Sequence, residues 1–293
     1  MFAIIALVLA SEDLTVSRSL ILFSSDGLVV SRKEGGSRLF ETEVAYMITV
    51  DDEKVLQDIA RITSLTNYRL KPRDTLTIRD MYFDTRQEIL RQKKINLRLR
   101  KTDHDLLLSI KSDPKRLPGK GVRRREVELS WSISSLLTIA DELEMKVPIS
   151  MMREFSRLSP AKVLAEMGFR EIQDRVTNRE VRDIVRRDKP RSSPIAEMDI
   201  DRVTFLARPR VRICELEIEA KARGSINVIR EIGETIASIY PGFIREWVYG
   251  KFATGIAIQL LSKSGRLKRY IERKQLKPNA FSLVERTIVS QRL

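Results

Sequence analysis

The sequence has too little cysteine and histidine for two common kinds of functional site. Its one cysteine, Cys214, excludes a disulfide within the chain, and its one histidine, His104, leaves no Cys/His set for structural zinc. We expect His104 to be solvated in an acidic turn and Cys214 to pack in a core. A Ser/His/Asp or Cys/His triad is disfavoured. A bound metal would need carboxylate ligands, which favours magnesium, manganese or calcium.

Glycine-rich phosphate loops and long hydrophobic runs are also missing. No P-loop motif occurs, and no segment reaches the roughly 20 apolar residues that a membrane helix needs. Residues 1–10 are apolar, but they are too short to span a bilayer and lack the basic residues of a signal peptide. We therefore expect a cytoplasmic protein with no membrane partner.

Positive charge is in excess. The 293 residues include 54 Lys and Arg against 40 Asp and Glu, which gives a formal net charge of +14. The hydrophobic fraction of 42% is sufficient for a globular core. The charge favours a polyanionic partner, such as a nucleotide, polyphosphate or nucleic acid, but it does not choose among them.

The hydrophobic pattern divides the chain into three parts. Residues 1–38 form an N-terminal appendage of unknown role, in which two apolar runs flank a turn at 24–27 that is typical of a hairpin. Residues 39–262 contain short strands and a few helices. Residues 263–293 form a basic C-terminal tail, which is compatible with either a solvated helix or a segment that contacts a polyanion.

About eight strands are predicted between residues 39 and 262. They span Phe40–Ile48, Thr77–Asp84, Ile95–Lys101, Leu106–Lys111, Arg123–Trp131, Val176–Val181, Ile195–Phe205 and Val211–Lys221. Helices are predicted after Asp51, from Ser159-Pro160 to Gly168, from Ser225 to Ile239 and from Trp247 to Leu261. Eight strands can close into a barrel with room for side chains or one small ligand. We predict an α+β fold dominated by strands, an eight-stranded antiparallel closed β-barrel with helices packed on its outside.

Ionised side chains occupy alternate positions in these strands. Residues two apart share a face, so Glu215, Glu217 and Glu219 lie opposite Leu216 and Ile218. Similar columns are Glu41 with Glu43, Arg98 with Arg100, Arg124 with Glu126 and Glu128, and Asp199 with Asp201. A solvated outer face explains any single column. Several columns of both signs favour an ionised lumen, in which carboxylates bind a hard cation and arginines bind phosphate oxygens.

These strands resemble, in order, the motifs of the CYTH-type triphosphate tunnel enzymes. The family's first-strand Glu-x-Glu-x-Lys is similar to Glu41-Thr42-Glu43-Val44-Ala45. Further matches are Tyr82-Phe83-Asp84-Thr85, Leu97-Arg98-Leu99-Arg100, Leu107-Leu108-Ser109-Ile110-Lys111, Arg179, Asp199, Glu215-Leu216-Glu217-Ile218-Glu219 and Lys251. The resemblance covers about residues 39–262. Ala45 departs from it, because the family has a lysine there, and Gly250 and Phe252 replace a serine and a tyrosine.

The resemblance implies hydrolysis of a small triphosphate, inorganic triphosphate or thiamine triphosphate, by attack of water on a terminal phosphorus. The implied ligands of Mg²⁺ or Mn²⁺ are Glu41, Glu43, Glu217 and Glu219, and the further acidic lumen residues are Glu126, Glu128, Asp199 and Glu215. The implied phosphate-binding residues are Arg98, Arg100, Lys111, Arg124, Arg179 and Lys251. Lys251 and Glu43 would act in catalysis. The loss of the lysine at Ala45 could alter substrate choice or weaken turnover.

Other functions use the same residues. A class IV adenylate cyclase would cyclise ATP in a similar lumen, with a ribose hydroxyl as the nucleophile. A catalytically impaired module could bind polyphosphate or RNA ends, as Ala45 and the basic tail allow. A purely structural protein would leave the ordered acidic and basic columns unexplained.

Overall fold

The computed structural model describes residues 20–24, 27–31, 39–49, 53–113, 115–117, 121–221 and 225–293. The strands are β1 (Leu20–Ser24), β2 (Gly27–Ser31), β3 (Leu39–Ile48), β4 (Ser64–Leu65), β5 (Tyr68–Thr85), β6 (Ile95–Lys101), β7 (Leu106–Ser112), β8 (Lys115–Arg116), β9 (Val122–Ser130), β10 (Phe169–Arg186), β11 (Ala196–Phe205), β12 (Val211–Ala220), β13 (Ile244–Glu246), β14 (Ile271–Glu272) and β15 (Gln275–Leu276). The α-helices are α1 (Glu53–Arg61), α2 (Ile89–Gln92), α3 (Ile133–Glu142), α4 (Ile149–Glu154), α5 (Pro160–Glu166), α6 (Ile226–Ile239), α7 (Lys251–Lys263) and α8 (Phe281–Gln291). Among the described residues, none of these helices has the length and apolar character that crossing a membrane requires.

Eight of the strands close into a ring. They pair antiparallel in the order β3-β9-β7-β6-β5-β10-β11-β12, and β12 pairs again with β3. At this closure Glu217 lies opposite Ala45, and Glu219 lies opposite Glu43. The predicted α+β fold with an eight-stranded antiparallel barrel is confirmed.

Helices cover the apolar outer face of the ring. Helices α1 and α6 pack against β3, β11 and β12, where Tyr46 and Leu216 meet Ile59 and Ile232. Helices α3, α4 and α5 cover the outer face of β6 and β7 in a second apolar cluster. Cys214 is buried in the first cluster, as expected. Along most of the ring the strands therefore place apolar positions under helices and ionised positions inside the ring.

Helix α7 packs against one end of the ring. There the inward-facing columns become apolar, and Met47, Phe205 and Ile213 form a cluster with α7 and α8. The prediction that this helix begins at Trp247 is wrong, because it begins at Lys251. The backbone N–H of Trp247 donates to the Ala45 carbonyl at 2.8 Å, which keeps the chain beside β3 at this point. The helix therefore begins four residues later than predicted.

The C-terminal segment packs on α7 instead of lying free. Phe281, Val284 and Leu267 are buried in the same apolar cluster, while basic side chains such as Lys268 remain exposed. The segment is therefore partly buried, and the two interpretations of its basic side chains, solvated or in contact with a polyanion, stay predictions. The strands β1 and β2 pair as the predicted hairpin, although its turn residues 25–26 lie outside the described residues. The division into three domains stays a prediction.

Two strands are much longer than predicted. Strands β5 and β10 extend well beyond the predicted Thr77–Asp84 and Val176–Val181, and they pair with each other along most of their length. Outside the ring they carry exposed polar residues and Pro72, which interrupt the alternation that indicates a strand. Helix α5 begins after Ser159 and ends before Gly168 as predicted, whereas Asp51, the predicted cap of α1, lies outside the described residues.

We expect Gly255→Ala to destabilise the fold. A Cβ at this position in α7 would lie 2.4 Å from Phe205 Cε1 and 2.6 Å from Gln173 Nε2, so the helix would have to move off the ring. Overpacking of this kind costs about 1–3 kcal/mol, against a gain of roughly 1 kcal/mol in helix propensity. Urea denaturation should show a net loss of stability. Stability equal to or above wild type would contradict the close approach of α7.

Candidate functional site

The ionised columns face one cavity of about 980 Å³ inside the ring. The eight strands of the ring and the first residue of α7 supply most of its charged lining. The sequence-predicted residues that line it are Glu41, Glu43, Arg98, Arg100, Lys111, Arg124, Glu126, Glu128, Arg179, Glu215, Glu217, Glu219 and Lys251. Asp199, the remaining one, is buried beside Arg179 and pairs with it.

Three carboxylates meet where β3 and β12 close the ring. Glu41, Glu43 and Glu217 each offer an oxygen within 4.8 Å of the others. Oε2 of Glu43 is buried and has no hydrogen-bond partner among the described residues. An all-carboxylate set with a free oxygen fits a hard divalent cation such as Mg²⁺ or Mn²⁺. Glu219, the fourth predicted ligand, instead pairs with Lys221 at 2.8 Å, and its role as a ligand stays a prediction.

The three carboxylates differ in their pKa values. Burial raises the pKa of Glu43 well above its ordinary value, and repulsion from Glu217 and Glu41 adds to this effect against the attraction of Arg124. Burial also acts on Glu217, but Lys251, a hydrogen bond with Glu43 and Arg179 outweigh it and hold the pKa of Glu217 well below its ordinary value. Without a cation, the cluster therefore favours the ionised form of Glu217 over that of Glu43.

Glu41 has a lowered pKa for a similar reason. Burial opposes its ionisation, but the charges of Lys111 and Arg124 outweigh burial. Lys111 Nζ lies 3.1 Å from Glu41 and 3.0 Å from Glu126, and Arg124 Nε lies 2.8 Å from Glu41. Arg124 also contacts Glu43. These two cations therefore lie directly beside the carboxylate cluster.

A second group of carboxylates lies on β11 and β12. Lys251 Nζ contacts Glu217 and lies 3.2 Å from Asp201 and 3.4 Å from Glu215. Arg179 pairs with Asp201 at 2.7 Å and also contacts Asp199. Burial raises the pKa of Asp199 to about 8 and that of Glu215 to about 7, against the attraction of Arg179 and Lys251 respectively. The carboxyl groups on this side of the cavity thus outnumber the two cations, and burial favours the protonated forms of Asp199 and Glu215.

Arg98 links the opposite side of the cavity. Its guanidinium donates to Ser109 at 3.0 Å, to Glu126 at 3.0 Å and to Glu128 at 2.6 Å. The side chain is 2% exposed, so these partners replace the water that it has lost. Three protein side chains thus bind the guanidinium of Arg98.

Sequence analysis missed two residues of this site, Asp80 and Arg175. Asp80 is 1% exposed and pairs with Arg100 at 2.7 Å and with Arg175 at 2.8 Å. Nη2 of Arg175 also donates to Tyr82 Oη at 2.7 Å, whereas its Nε and Nη1 are buried without a partner among the described residues. Arg175 lies four residues before Arg179 on the same strand face. It was missed because β10 was predicted to begin one residue later.

The aspartate of the Tyr-Phe-Asp-Thr motif, Asp84, binds backbone N–H groups. Asp84 is buried and accepts the backbone N–H groups of Leu90 at 2.9 Å and Arg91 at 3.1 Å. It therefore satisfies the free N–H groups of the short helix α2, which lies beside the cavity mouth through Arg91.

The chain was compared with protein families and with solved structures. The family model of the CYTH domain matches residues 40–240 of the chain. A candidate adenylyl cyclase from Hippeastrum with a dominant triphosphatase activity is 18% identical, with 78% of this chain and 97% of that chain covered and a TM-score of 0.48. The PH1819 protein of Pyrococcus horikoshii OT3 is 13% identical, with 76% and 99% covered and a TM-score of 0.42. The capping enzyme triphosphatase of Mimivirus is 10% identical, with 68% and 89% covered and a TM-score of 0.33.

No curated protein matches the sequence. The CYTH match alone spans more than half of the 293 residues. The chain therefore belongs to the CYTH domain family.

Proposed function

We propose that the protein hydrolyses a small triphosphate, such as inorganic triphosphate or thiamine triphosphate, with Mg²⁺ or Mn²⁺ held by Glu41, Glu43 and Glu217. The observation that supports this most directly is the convergence of these three carboxylates beside Lys111 and Arg124 in one enclosed cavity. A divalent ion bound there would polarise phosphoryl oxygens and lower the pKa of a bound water.

The cations beside the cluster would bind the phosphates. Lys111, Arg124 and Lys251 are paired with the same carboxylates that would hold the metal. A cation on those carboxylates weakens these ion pairs, so the ammonium and guanidinium groups can turn to phosphate oxygens. Lys251, at the start of α7, would then balance the charge that develops on the transferred phosphoryl group.

Phosphate release from a panel of triphosphates tests the proposed function. Inorganic triphosphate, thiamine triphosphate and ATP are each incubated with Mg²⁺, Mn²⁺ or EDTA, and the products are separated. We expect metal-dependent release of inorganic phosphate that EDTA abolishes. Cyclic nucleotide as the main product from ATP would favour the cyclase alternative. Metal-independent binding of long polyanions without turnover would favour the impaired binding module.

Glu217→Gln should abolish metal-dependent activity and leave the fold intact. The amide keeps the shape of the side chain but loses the charge that a hard cation prefers. We expect wild type to gain thermal stability from metal plus triphosphate, because both bind the native state, and the variant to lose this gain. Glu180→Gln is a suitable control, since Glu180 pairs with Arg202 outside the cavity. Normal hydrolysis by Glu217→Gln would exclude the proposed metal site.

Arg175→Gln and Arg98→Gln should have opposite consequences. Arg98→Gln leaves Glu128 without its cation and Glu126 with Lys111 alone, so we expect a stability loss of about 3–5 kcal/mol. Arg175→Gln removes the pair with Asp80, which keeps Arg100 as a partner, together with two buried donors that have no partner among the described residues, so stability should change little. Its affinity for triphosphate should fall about tenfold or more, since charge-assisted hydrogen bonds contribute roughly 1.5–3 kcal/mol.

Denaturation and calorimetric titration of the metal-loaded variants separate these effects. Unchanged triphosphate affinity in Arg175→Gln would show that its free donors do not face the ligand. A stable Arg98→Gln protein would show that the pairing of Arg98 does not contribute to the fold.

A further inference from the structure

Two turns that are distant in the sequence meet at the end of the ring that α7 covers. Strand β12 pairs with β15 at Arg212 and Gln275, and the backbone N–H of Arg212 donates to the Lys274 carbonyl at 2.6 Å. The turn between β11 and β12 therefore lies beside the turn between β14 and β15. Both turns present exposed cations to solvent. We call these five residues the outer basic surface: Arg208, Arg210, Arg212, Arg273 and Lys274.

Apolar contacts hold the backbone of this surface in place. Leu267 and Leu276, on either side of the β14–β15 turn, are buried in the cluster with α7 and α8. The cations near Leu267 remain in water, because Arg266, Lys268 and Arg269 are all exposed. The outer basic surface therefore has a fixed backbone and further cations beside it.

The cations of the outer basic surface are not neutralised by the protein. None of the five forms an ion pair with another described residue, in contrast to the cations of the cavity. Glu272, the one acidic residue between 264 and 277, pairs with Lys277 at 3.1 Å. Residues 263–293 contain nine Lys and Arg against two Glu, which is half of the formal net charge of +14. Much of the excess positive charge of the chain is thus gathered at this end of the ring.

Neither the turn geometry nor the cavity accounts for the basic β14–β15 turn. Its two central residues, Arg273 and Lys274, have φ of 47° and 69°. Asn and Gly are the usual residues at such positions of a two-residue hairpin turn, because a longer side chain is strained there. The turn lies beyond residues 40–240, which match the CYTH domain, and neither residue lines the cavity. A strained position that keeps a cation indicates a function for the charge.

The side chains of this surface suit a chain of phosphates. Four of the five are arginines, which bind phosphate oxygens bidentately. None of the exposed large hydrophobic side chains among the described residues lies in either turn, so the surface has no group to insert into a lipid bilayer. The nearby Tyr270 has the Arg269 guanidinium 4.9 Å from its ring centroid, so it is not free to stack on the bases of a single strand. Contact through the backbone alone is therefore favoured.

We propose that the outer basic surface binds the phosphate backbone of double-stranded nucleic acid, without reading its sequence, at a place separate from the cavity. Cations on two neighbouring turns would contact several phosphates at once and release their counterions. The inference does not depend on the proposed hydrolysis. Double-stranded DNA and double-stranded RNA share this chemistry, and the test separates them.

Fluorescence anisotropy of labelled duplexes tests the proposal. Binding of DNA and RNA duplexes of about 20 base pairs, and of the matching single strands, is measured from about 50 to 200 mM salt. The test variant combines Arg210→Gln, Arg273→Gln and Lys274→Gln. Arg210→Gln alone replaces it if the combined variant does not fold.

Two control proteins accompany the test variant. One loses the same charge at three exposed residues of the β10–β11 connection, which do not line the cavity, through Arg187→Gln, Lys189→Gln and Arg191→Gln. The other is Glu217→Gln, which changes the cavity and leaves the outer basic surface intact. The first control separates a local effect from one of net charge, and the second separates the surface from the cavity.

Wild type should bind duplex with a slope of log K against log salt of about −4 to −5, as about five phosphate contacts require. The test variant should reduce the size of this slope by about 3, one for each lost contact, and lower the affinity at about 50 mM salt at least tenfold. Both controls should stay within about threefold of wild type. The duplex with the higher affinity identifies the groove geometry that the two turns fit.

Four outcomes would overturn the inference. The first is no salt-dependent binding of either duplex by wild type, including the case in which wild type sediments only with vesicles of phosphatidylcholine and phosphatidylserine. The second is tighter binding of the single strands than of the duplexes. The third is an equal loss of affinity in the test variant and the β10–β11 control, which would indicate net charge alone. The fourth is an equal loss in Glu217→Gln, which would place the duplex at the cavity.

Discussion

Ionised side chains inside a closed ring of strands have little water to stabilise them, so each needs an opposite charge within reach. The cavity meets this need with chains of ion pairs that cross from strand to strand. One runs from Glu41 through Lys111 and Glu126 to Arg98, and another joins Glu217 to Arg179 and Asp201. The apolar face of each strand, in turn, has to be covered by helices. The charged interior and the helical exterior are therefore two consequences of one alternating pattern.

Helix α7 connects the fold to the site. Its packing against Phe205 depends on Gly255, and its first residue, Lys251, contacts Glu217. Ala45 lies directly opposite Glu217 in the strand pairing, where the family has a lysine. The lysine beside Glu217 is therefore Lys251 of α7. Strand β3 has only the methyl group of Ala45 at this position. The charge near Ala45 therefore depends on the position of α7.

Sequence reasoning predicted the ring because the strands that form it alternate strictly. Strand β6 has the predicted bounds. In β12, Glu215, Glu217 and Glu219 line the cavity, as the alternation predicts. The prediction was weaker where long-range contacts decide the structure. The extension of β5 beyond Pro72 depends on its pairing with β10, and the late start of α7 depends on a hydrogen bond to Ala45. Arg175 was missed for the same reason, since the predicted strand began one residue after it.

Charge in the cavity also couples the proposed metal and triphosphate sites. Glu43 is buried with a raised pKa and a free oxygen, so the carboxylate cluster is poorly neutralised by the protein alone. A divalent cation would complete that neutralisation, but it would leave Lys111 and Arg124, which are largely buried, with weakened partners. A polyphosphate would supply the missing negative charge. Each ligand would thus neutralise charge that the other leaves unpaired. By the reciprocity of linked equilibria, binding of either ligand would then raise the affinity for the other.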